Sequence, residues 1–134
     1  MQIRTAFGLA AAAIVAATAV ACGGGSSPTA PSGGGNPSTG GVGATITITP
    51  SGVNPSSVSI AAGQSIAFVN NDTQAHVMSS DPHPSHTDCP ALTVGSLGAG
   101  QTRTSNPLTS ARTCGFHDHD APGDSRWQGQ VRVQ

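Results

Sequence analysis

The chain of 134 residues contains no lysine, no glutamate and no tyrosine. After residue 43, leucine occurs only three times, whereas threonine, valine, isoleucine, serine and glycine are frequent. Because lysine, glutamate and leucine are strong helix formers and β-branched residues favour strands, this composition predicts an all-β fold. The same part has only four scattered arginines and three large aromatic residues. It therefore lacks the basic surface and stacking platform of a nucleic-acid-binding protein.

The beginning of the chain has the layout of an export signal. Arg4 precedes an apolar run from Ala6 to Val20, which is too short to span a bilayer. The following Cys22 completes Ala-Val-Ala-Cys, which resembles the lipobox of bacterial lipoproteins. Residues 1–21 are thus predicted to be a signal peptide, and an acylated Cys22 would anchor the mature protein to a membrane outside the cytoplasm, in the periplasm or at the cell surface. Because Ala19 stands where leucine is usual, cleavage to a soluble secreted protein is the alternative.

Residues 22–43 are predicted to be the lipidated cysteine followed by a flexible tether. Nearly all of them are glycine, serine, threonine or proline, and such a segment cannot bury enough apolar surface to fold. The remaining residues, 44–134, are enough for one small domain.

Short runs of alternating apolar and polar residues, separated by turn residues, follow one another along this domain. Such runs indicate half-buried strands. The predicted strands are residues 44–49, 57–60, 65–69, 76–79, 102–104, 111–116 and 128–133. Seven strands suit a two-sheet sandwich, and neither an internal repeat nor a helix of usable length can be recognised.

All five histidines lie in the domain, grouped in two segments that also hold the two remaining cysteines. The middle segment holds His76, His83, His86 and Cys89, and the later one holds Cys114, His117 and His119. Neutral imidazole is the commonest metal ligand in proteins, and a thiolate adds affinity for copper or zinc. The clustering therefore predicts a metal site, although histidines of a polar loop such as His83 and His86 are more often solvated.

Four short motifs follow one another between Val53 and Val133. They are Val53-x-Pro55-x-x-Val58-x-Ile60, Asn70-Asn71 leading to His76, Cys114-Gly115-Phe116-His117, and Gly129-x-Val131-x-Val133. Their order resembles the cupredoxin family, in particular the plastocyanin-like small blue-copper proteins. The resemblance implies a two-sheet Greek-key β-sandwich, cupredoxin-like, of about seven strands.

The resemblance also implies a copper site made of one histidine from an inner strand and a cysteine and histidine from the loop between the last two strands. Carried over, the ligands are His76, Cys114 and His117, with His119 as the rival for the last position. The family's usual axial methionine is missing, because Trp127 stands in its place. We expect the Trp127 indole either to shield the metal or simply to pack in the core.

A second fate is open to Cys114. With Cys22 acylated, two thiols remain in an oxidising compartment, and Cys89 and Cys114 could form a disulfide. That bond would remove the thiolate. Metal could then still bind through His76, His117 and His119, with help from His83 or His86.

Three functions follow from these alternatives. The first is a membrane-tethered cupredoxin that carries single electrons to a redox partner protein. The second is a storage or delivery module for copper or zinc that contains the disulfide, and the third is a sandwich used only for surface interaction.

An enzyme is not expected, because no nucleophile elbow, phosphate loop or catalytic carboxylate pair is recognisable. A monomer is the expected oligomeric state.

Overall fold

The computed structural model describes residues 40–134. The predicted signal peptide, Cys22 and the tether up to residue 39 lie outside the described residues. The first strand begins at Val42, two residues before the predicted start of the domain. Within residues 40–134 no helix is long and apolar enough to cross a membrane.

The domain consists of nine strands, which include all seven predicted ones. They are β1 (Val42–Thr49), β2 (Gly52–Asn54), β3 (Ser57–Ile60), β4 (Ser65–Asn70), β5 (His76–Ser80), β6 (Gly95–Leu97), β7 (Thr102–Thr104), β8 (Thr113–Asp118) and β9 (Gln128–Val133). The short strands β2 and β6 were not predicted, and β8 begins and ends two residues later than expected. Two single 3₁₀ turns, Pro90–Leu92 and Ser125–Trp127, are the helical segments of the described chain.

The strands form two sheets. One has the order β2-β1-β4-β7 and the other the order β3-β9-β8-β5-β6. Most neighbours are antiparallel, but β1 runs parallel to β4 and β3 runs parallel to β9. The result confirms the predicted all-β sandwich.

The core lies between the two sheets and is built by the alternating apolar residues of the strands. Its fully buried side chains include Ile46, Ile48, Ile66, Phe68, Met78, Leu97, Phe116 and Val131. The rings of Phe68 and Phe116 meet edge to face across the two sheets, with 5.4 Å between their centroids. Each sheet therefore has an inner face toward this core and an outer face away from it.

The register of β8 against β5 decides which residues lie on the outer face. Ser80 lies opposite Phe116, and Ser79 lies opposite His117. Because Phe116 belongs to the core and side chains alternate along a strand, His117 lies on the outer face. The backbone N–H of His119 continues the ladder by donating to the carbonyl oxygen of Val77 at 2.7 Å. His119, two residues after His117, lies on the same face.

Candidate metal centre

Four imidazoles converge on the outer face of the five-stranded sheet. This histidine cluster consists of His83, His86, His117 and His119, and one ring nitrogen of each lies within 4.8 Å of those of the other three. Two nitrogens bound to one ion at about 2.1 Å can be at most about 4.2 Å apart. Small side-chain adjustments would thus bring all four nitrogens to one metal ion.

His117 supplies the most specific feature of the cluster. Its side chain is buried, and Nδ1 donates a hydrogen bond to the Asp81 carboxylate at 2.6 Å. The other ring nitrogen, Nε2, is buried and has no hydrogen-bond partner within residues 40–134. Because an unsatisfied buried polar atom costs free energy, a lone pair in this position suits a metal ion. A carboxylate that holds the far nitrogen of a liganding histidine is the usual arrangement of metal sites.

Gly115 makes the contact between Asp81 and His117 sterically possible. A Cβ atom added to Gly115 would overlap the Asp81 carboxylate. The backbone N–H of Asp81 also donates to the Gly115 carbonyl oxygen at 3.0 Å. The glycine thus leaves the space in which the carboxylate lies against β8.

The orientation of His86 is fixed by the backbone. Its Nδ1 lies 2.7 Å from the carbonyl oxygen of Ser80, which can only accept, so Nδ1 carries the hydrogen and Nε2 keeps its lone pair. That Nε2 atom lies 2.9 Å from Nδ1 of His119. The Ser80 hydroxyl additionally donates to the His86 carbonyl oxygen at 2.9 Å. The loop after β5 is therefore fastened at the position of one ligand.

His83 is the exposed member of the cluster. Its ring centroid lies 4.8 Å from that of His119 and 5.5 Å from that of His117. Partial desolvation, followed by the positive charge that the other three imidazoles can carry, lowers the pKa of His83 below its ordinary value. The neutral form, which has a free lone pair, is thereby favoured.

The structure does not support Cys114 as a copper ligand. Cys114 forms a disulfide with Cys89, with 5.7 Å between their Cα atoms, so its sulfur is not a thiolate. It is the second residue of β8 and lies on the inner face, whereas His117 lies three residues further on the outer face, about 10 Å along the strand. Of the two predicted fates of Cys114, the disulfide is the one that the structure shows.

His76 is also kept apart from the cluster. It is buried, its Nδ1 lies 2.7 Å from Asp118 Oδ2, and its Nε2 lies 3.2 Å from Asp72 Oδ2. The Trp127 ring packs against it in a tilted arrangement, with 4.5 Å between centroids, so Trp127 covers His76 and not the cluster. Both ring nitrogens of His76 thus already have carboxylate partners. The expected set of His76, Cys114 and His117 is not assembled; of the predicted ligands, the cluster contains His117 and His119.

Burial raises the pKa of Asp72, but hydrogen bonds from His76 and from the backbone N–H groups of Thr73 and Gln74 outweigh it and lower the pKa overall. The carboxylate form of Asp72 is therefore favoured beside His76. This buried group of one histidine and two carboxylates joins the start of β5 to the end of β8.

The fold and the cluster together define a cupredoxin-like β-sandwich that carries a four-histidine centre on its outer face. Among solved structures, the purple cupredoxin from Nitrosopumilus maritimus is similar at a TM-score of 0.55 and 16% identity, covering 68% of this chain and 99% of that one. Plastocyanin from Dryopteris crassirhizoma gives a TM-score of 0.54 and 13% identity over 67% and 99% of the two chains.

Amicyanin from Paracoccus versutus is similar at a TM-score of 0.55 and 15% identity, over 69% of this chain and 81% of that one. These likenesses confirm the cupredoxin-like fold predicted from the motifs. No protein-family model matches the chain, and no curated protein matches its sequence.

Proposed function

We propose that the protein is an extracytoplasmic copper-binding β-sandwich that holds the ion with His83, His86, His117 and His119 and stores or delivers it. The observation that carries this proposal is the buried Nε2 of His117, which has no hydrogen-bond partner among residues 40–134 while Asp81 occupies the other ring nitrogen. A second member, His86, is held by the Ser80 carbonyl oxygen so that its Nε2 also keeps a lone pair.

Copper is the metal that this donor set favours. Imidazole suits both copper and zinc, and the affinity of such sites for divalent ions rises to its maximum at Cu²⁺. A solved amicyanin with a similar fold is a Cu(I) form. When bound, copper would supply a redox-active ion held by nitrogen ligands alone.

The ligand set favours storage or delivery over electron transfer. The blue-copper carriers need a cysteine thiolate, and the cysteine predicted for that role is in a disulfide. Export through the predicted signal peptide and a lipid anchor on Cys22 would place the domain where disulfides persist. The membrane-anchored location is part of the proposal and depends on the lipobox residues.

Copper titration tests the proposed function directly. Calorimetry with Cu²⁺ and Zn²⁺ on the mature domain is expected to find one ion per chain and tighter binding of Cu²⁺. The loaded protein should be pale, and its electron paramagnetic resonance should show coupling to several nitrogens. An intense thiolate-to-copper band, or the lack of a tight site, would contradict the proposal.

Adding a methyl group at Gly115 should weaken metal binding through Asp81. In Gly115→Ala the Asp81 carboxylate must move, so His117 loses the partner that orients it. Loss of such a partner typically lowers metal affinity about 10–100-fold. Gly123→Ala is the matched control, because a Cβ there meets nothing within 4 Å. Equal Cu²⁺ affinity of the two variants in calorimetry would refute a positioning role for Asp81.

Metal affinity should fall with pH because a protonated imidazole has no lone pair to offer. The decrease is expected to set in near pH 6.5, the ordinary pKa of histidine. His83, whose pKa is lowered, should stay neutral to lower pH than an ordinary histidine and lose its ligand function later. Titrations between pH 8 and pH 4 measure this dependence, and an affinity that is constant over that range rules out imidazole ligands.

A further inference from the structure

The histidine cluster is assembled from two separate parts of the chain. His83 and His86 belong to the loop of residues 81–89, here called the ligand loop, whereas His117 and His119 belong to β8 and its end. The cluster therefore exists only while the ligand loop is held against β8. The contacts that hold the ligand loop against β8 therefore also determine how well the four nitrogens are placed for one ion.

The noncovalent contacts between the ligand loop and β8 lie mainly at the N-terminal end of the loop. Asp81 bonds to His117 through its carboxylate and to Gly115 through its backbone N–H. Near the other end, Asp88 forms an ion pair with Arg112, but both side chains are about half exposed. Exposed ion pairs contribute little to stability.

The disulfide fastens the second end covalently. Cys89 is the last residue of the ligand loop, and its partner Cys114 lies in the same strand as His117. The backbone N–H of Asp88 also donates to the Asp81 carbonyl oxygen at 2.9 Å, and this bond holds the two ends of the ligand loop together. Opening the disulfide would leave the ligand loop attached to β5 through the Ser80–His86 hydrogen bonds and to β8 through Asp81 and the Asp88–Arg112 ion pair, with no covalent link at its C-terminal end.

We propose that the Cys89–Cys114 disulfide controls the metal affinity of the histidine cluster, so that its reduction by a thiol weakens metal binding and favours release. This proposal rests on the proposed function. Both cysteines line a surface cleft together with Arg112, and Cys89 is 5% exposed against 1% for Cys114. Cys89 is the less buried of the two, and we take its sulfur as the one that a thiol attacks.

The reaction is thiol–disulfide exchange. A thiolate of the reductant attacks Cys89 Sγ, the bond to Cys114 Sγ breaks, and Cys114 leaves as a thiolate that takes up a proton. A second thiol of the reductant then displaces Cys89, also as a protonated thiol. In total, two thiols of the reductant become one disulfide, and the protein disulfide becomes two thiols.

A disulfide-free variant tests the proposal. In Cys89→Ala/Cys114→Ala, Cu²⁺ affinity measured by calorimetry is expected to be at least about tenfold weaker than in the oxidised protein, while circular dichroism still shows the folded sheets. Val131→Ala is the control, because it opens the core beside Cys114 without releasing the ligand loop, and it should bind as the unaltered protein does. Binding by the folded disulfide-free variant within threefold of the unaltered protein would overturn the proposal. Weak binding by the oxidised protein itself would instead refute the proposed function.

A second measurement uses the unaltered chain and does not depend on the variant's folding. Because coupling is reciprocal, a metal that prefers the oxidised form must make the disulfide harder to reduce. Zn²⁺, which is redox-inert, serves as the probe at a buffered free concentration in glutathione mixtures. When Zn²⁺ saturates both forms, each tenfold by which the oxidised protein binds Zn²⁺ more tightly than the reduced protein should lower the midpoint potential of the disulfide by about 30 mV. An unchanged or raised potential would overturn the proposal.

Discussion

Replacement of His117 by alanine is expected to lower Cu²⁺ affinity about 100-fold or more while the sandwich stays folded. The change removes the buried Nε2 lone pair, and loss of a ligand should cost at least as much as the 10–100-fold typical of losing a ligand's supporting partner. His117 lies on the outer face and its partner Asp81 is about half exposed, so the free energy of unfolding should fall by only about 1 kcal/mol. Calorimetry and thermal unfolding followed by circular dichroism measure the two quantities.

Ser85→Ala is the matched control for this experiment. Ser85 lies in the ligand loop between His83 and His86, but in the described part of the chain its hydroxyl makes only long contacts, at 3.4 Å, with Pro82 and Thr87. The control should therefore retain full Cu²⁺ affinity. If His117→Ala binds copper as tightly as Ser85→Ala does, the cluster is not the metal site.

Replacement of His76 by alanine is expected to have the opposite effect, a large loss of stability with little change in metal affinity. His76 contacts Asp72 and Asp118, and all three are buried, so its removal leaves carboxylates without their partner. Breaking a buried pair such as His76–Asp118 costs about 3 kcal/mol or more. Denaturant unfolding measures the loss, and calorimetry at a temperature where the variant is folded measures the affinity.

The pair of variants separates the two possible positions of the metal site. A site of the kind implied by the family resemblance would use His76 and His117 together, so both alanine variants would lose copper. The observed geometry requires that only His117→Ala does so. Loss of binding in a folded His76→Ala protein would show that His76 is a ligand after all.

The strands could be predicted from the sequence because the physical signal is local. Alternation in residues 44–49 or 65–69 reports directly that one side of a strand faces the core. β2 and β6 contain only three residues each, too few for alternation to be recognised. The parallel pairing of β1 with β4 depends on packing between segments that are distant in sequence. The alternation of residues within one strand carries no information about this pairing.

The ligands His76, Cys114 and His117 are expected from the family resemblance, and the position of Cys114 in β8 separates its sulfur from the other two. The predicted strand, residues 111–116, ended two residues after Cys114, which placed this residue near the loop between the last two strands. The actual strand continues to Asp118, so Cys114 lies near its start, about 13 Å along the strand from Asp118, the residue that contacts His76. A shift of two residues keeps every side chain on its face but changes its position along the strand.

His83 and His86 were regarded only as auxiliary ligands, because a polar loop does not reveal where it folds. Their position depends on two hydrogen bonds that the side-chain pattern does not reveal: His86 donates to the Ser80 carbonyl oxygen, and His117, 36 residues from Asp81, donates to the Asp81 carboxylate. One signal was present: His117 and His119 are two residues apart, so in an extended strand they project from the same face. Because the apolar Phe116 lies at a predicted core position of the strand, this alternation places both histidines on the opposite, outer face.

The contact between the rings of Trp127 and His76 has a spectroscopic consequence. Trp127 is the only tryptophan of the chain and is buried where β9 begins, so its fluorescence reports the packing around His76, Asp72 and Asp118. Emission during denaturation should therefore follow the opening of the sandwich. It is a poor gauge of the protonation or geometry of the histidine cluster, whose rings make no stacking contact with the indole within residues 40–134.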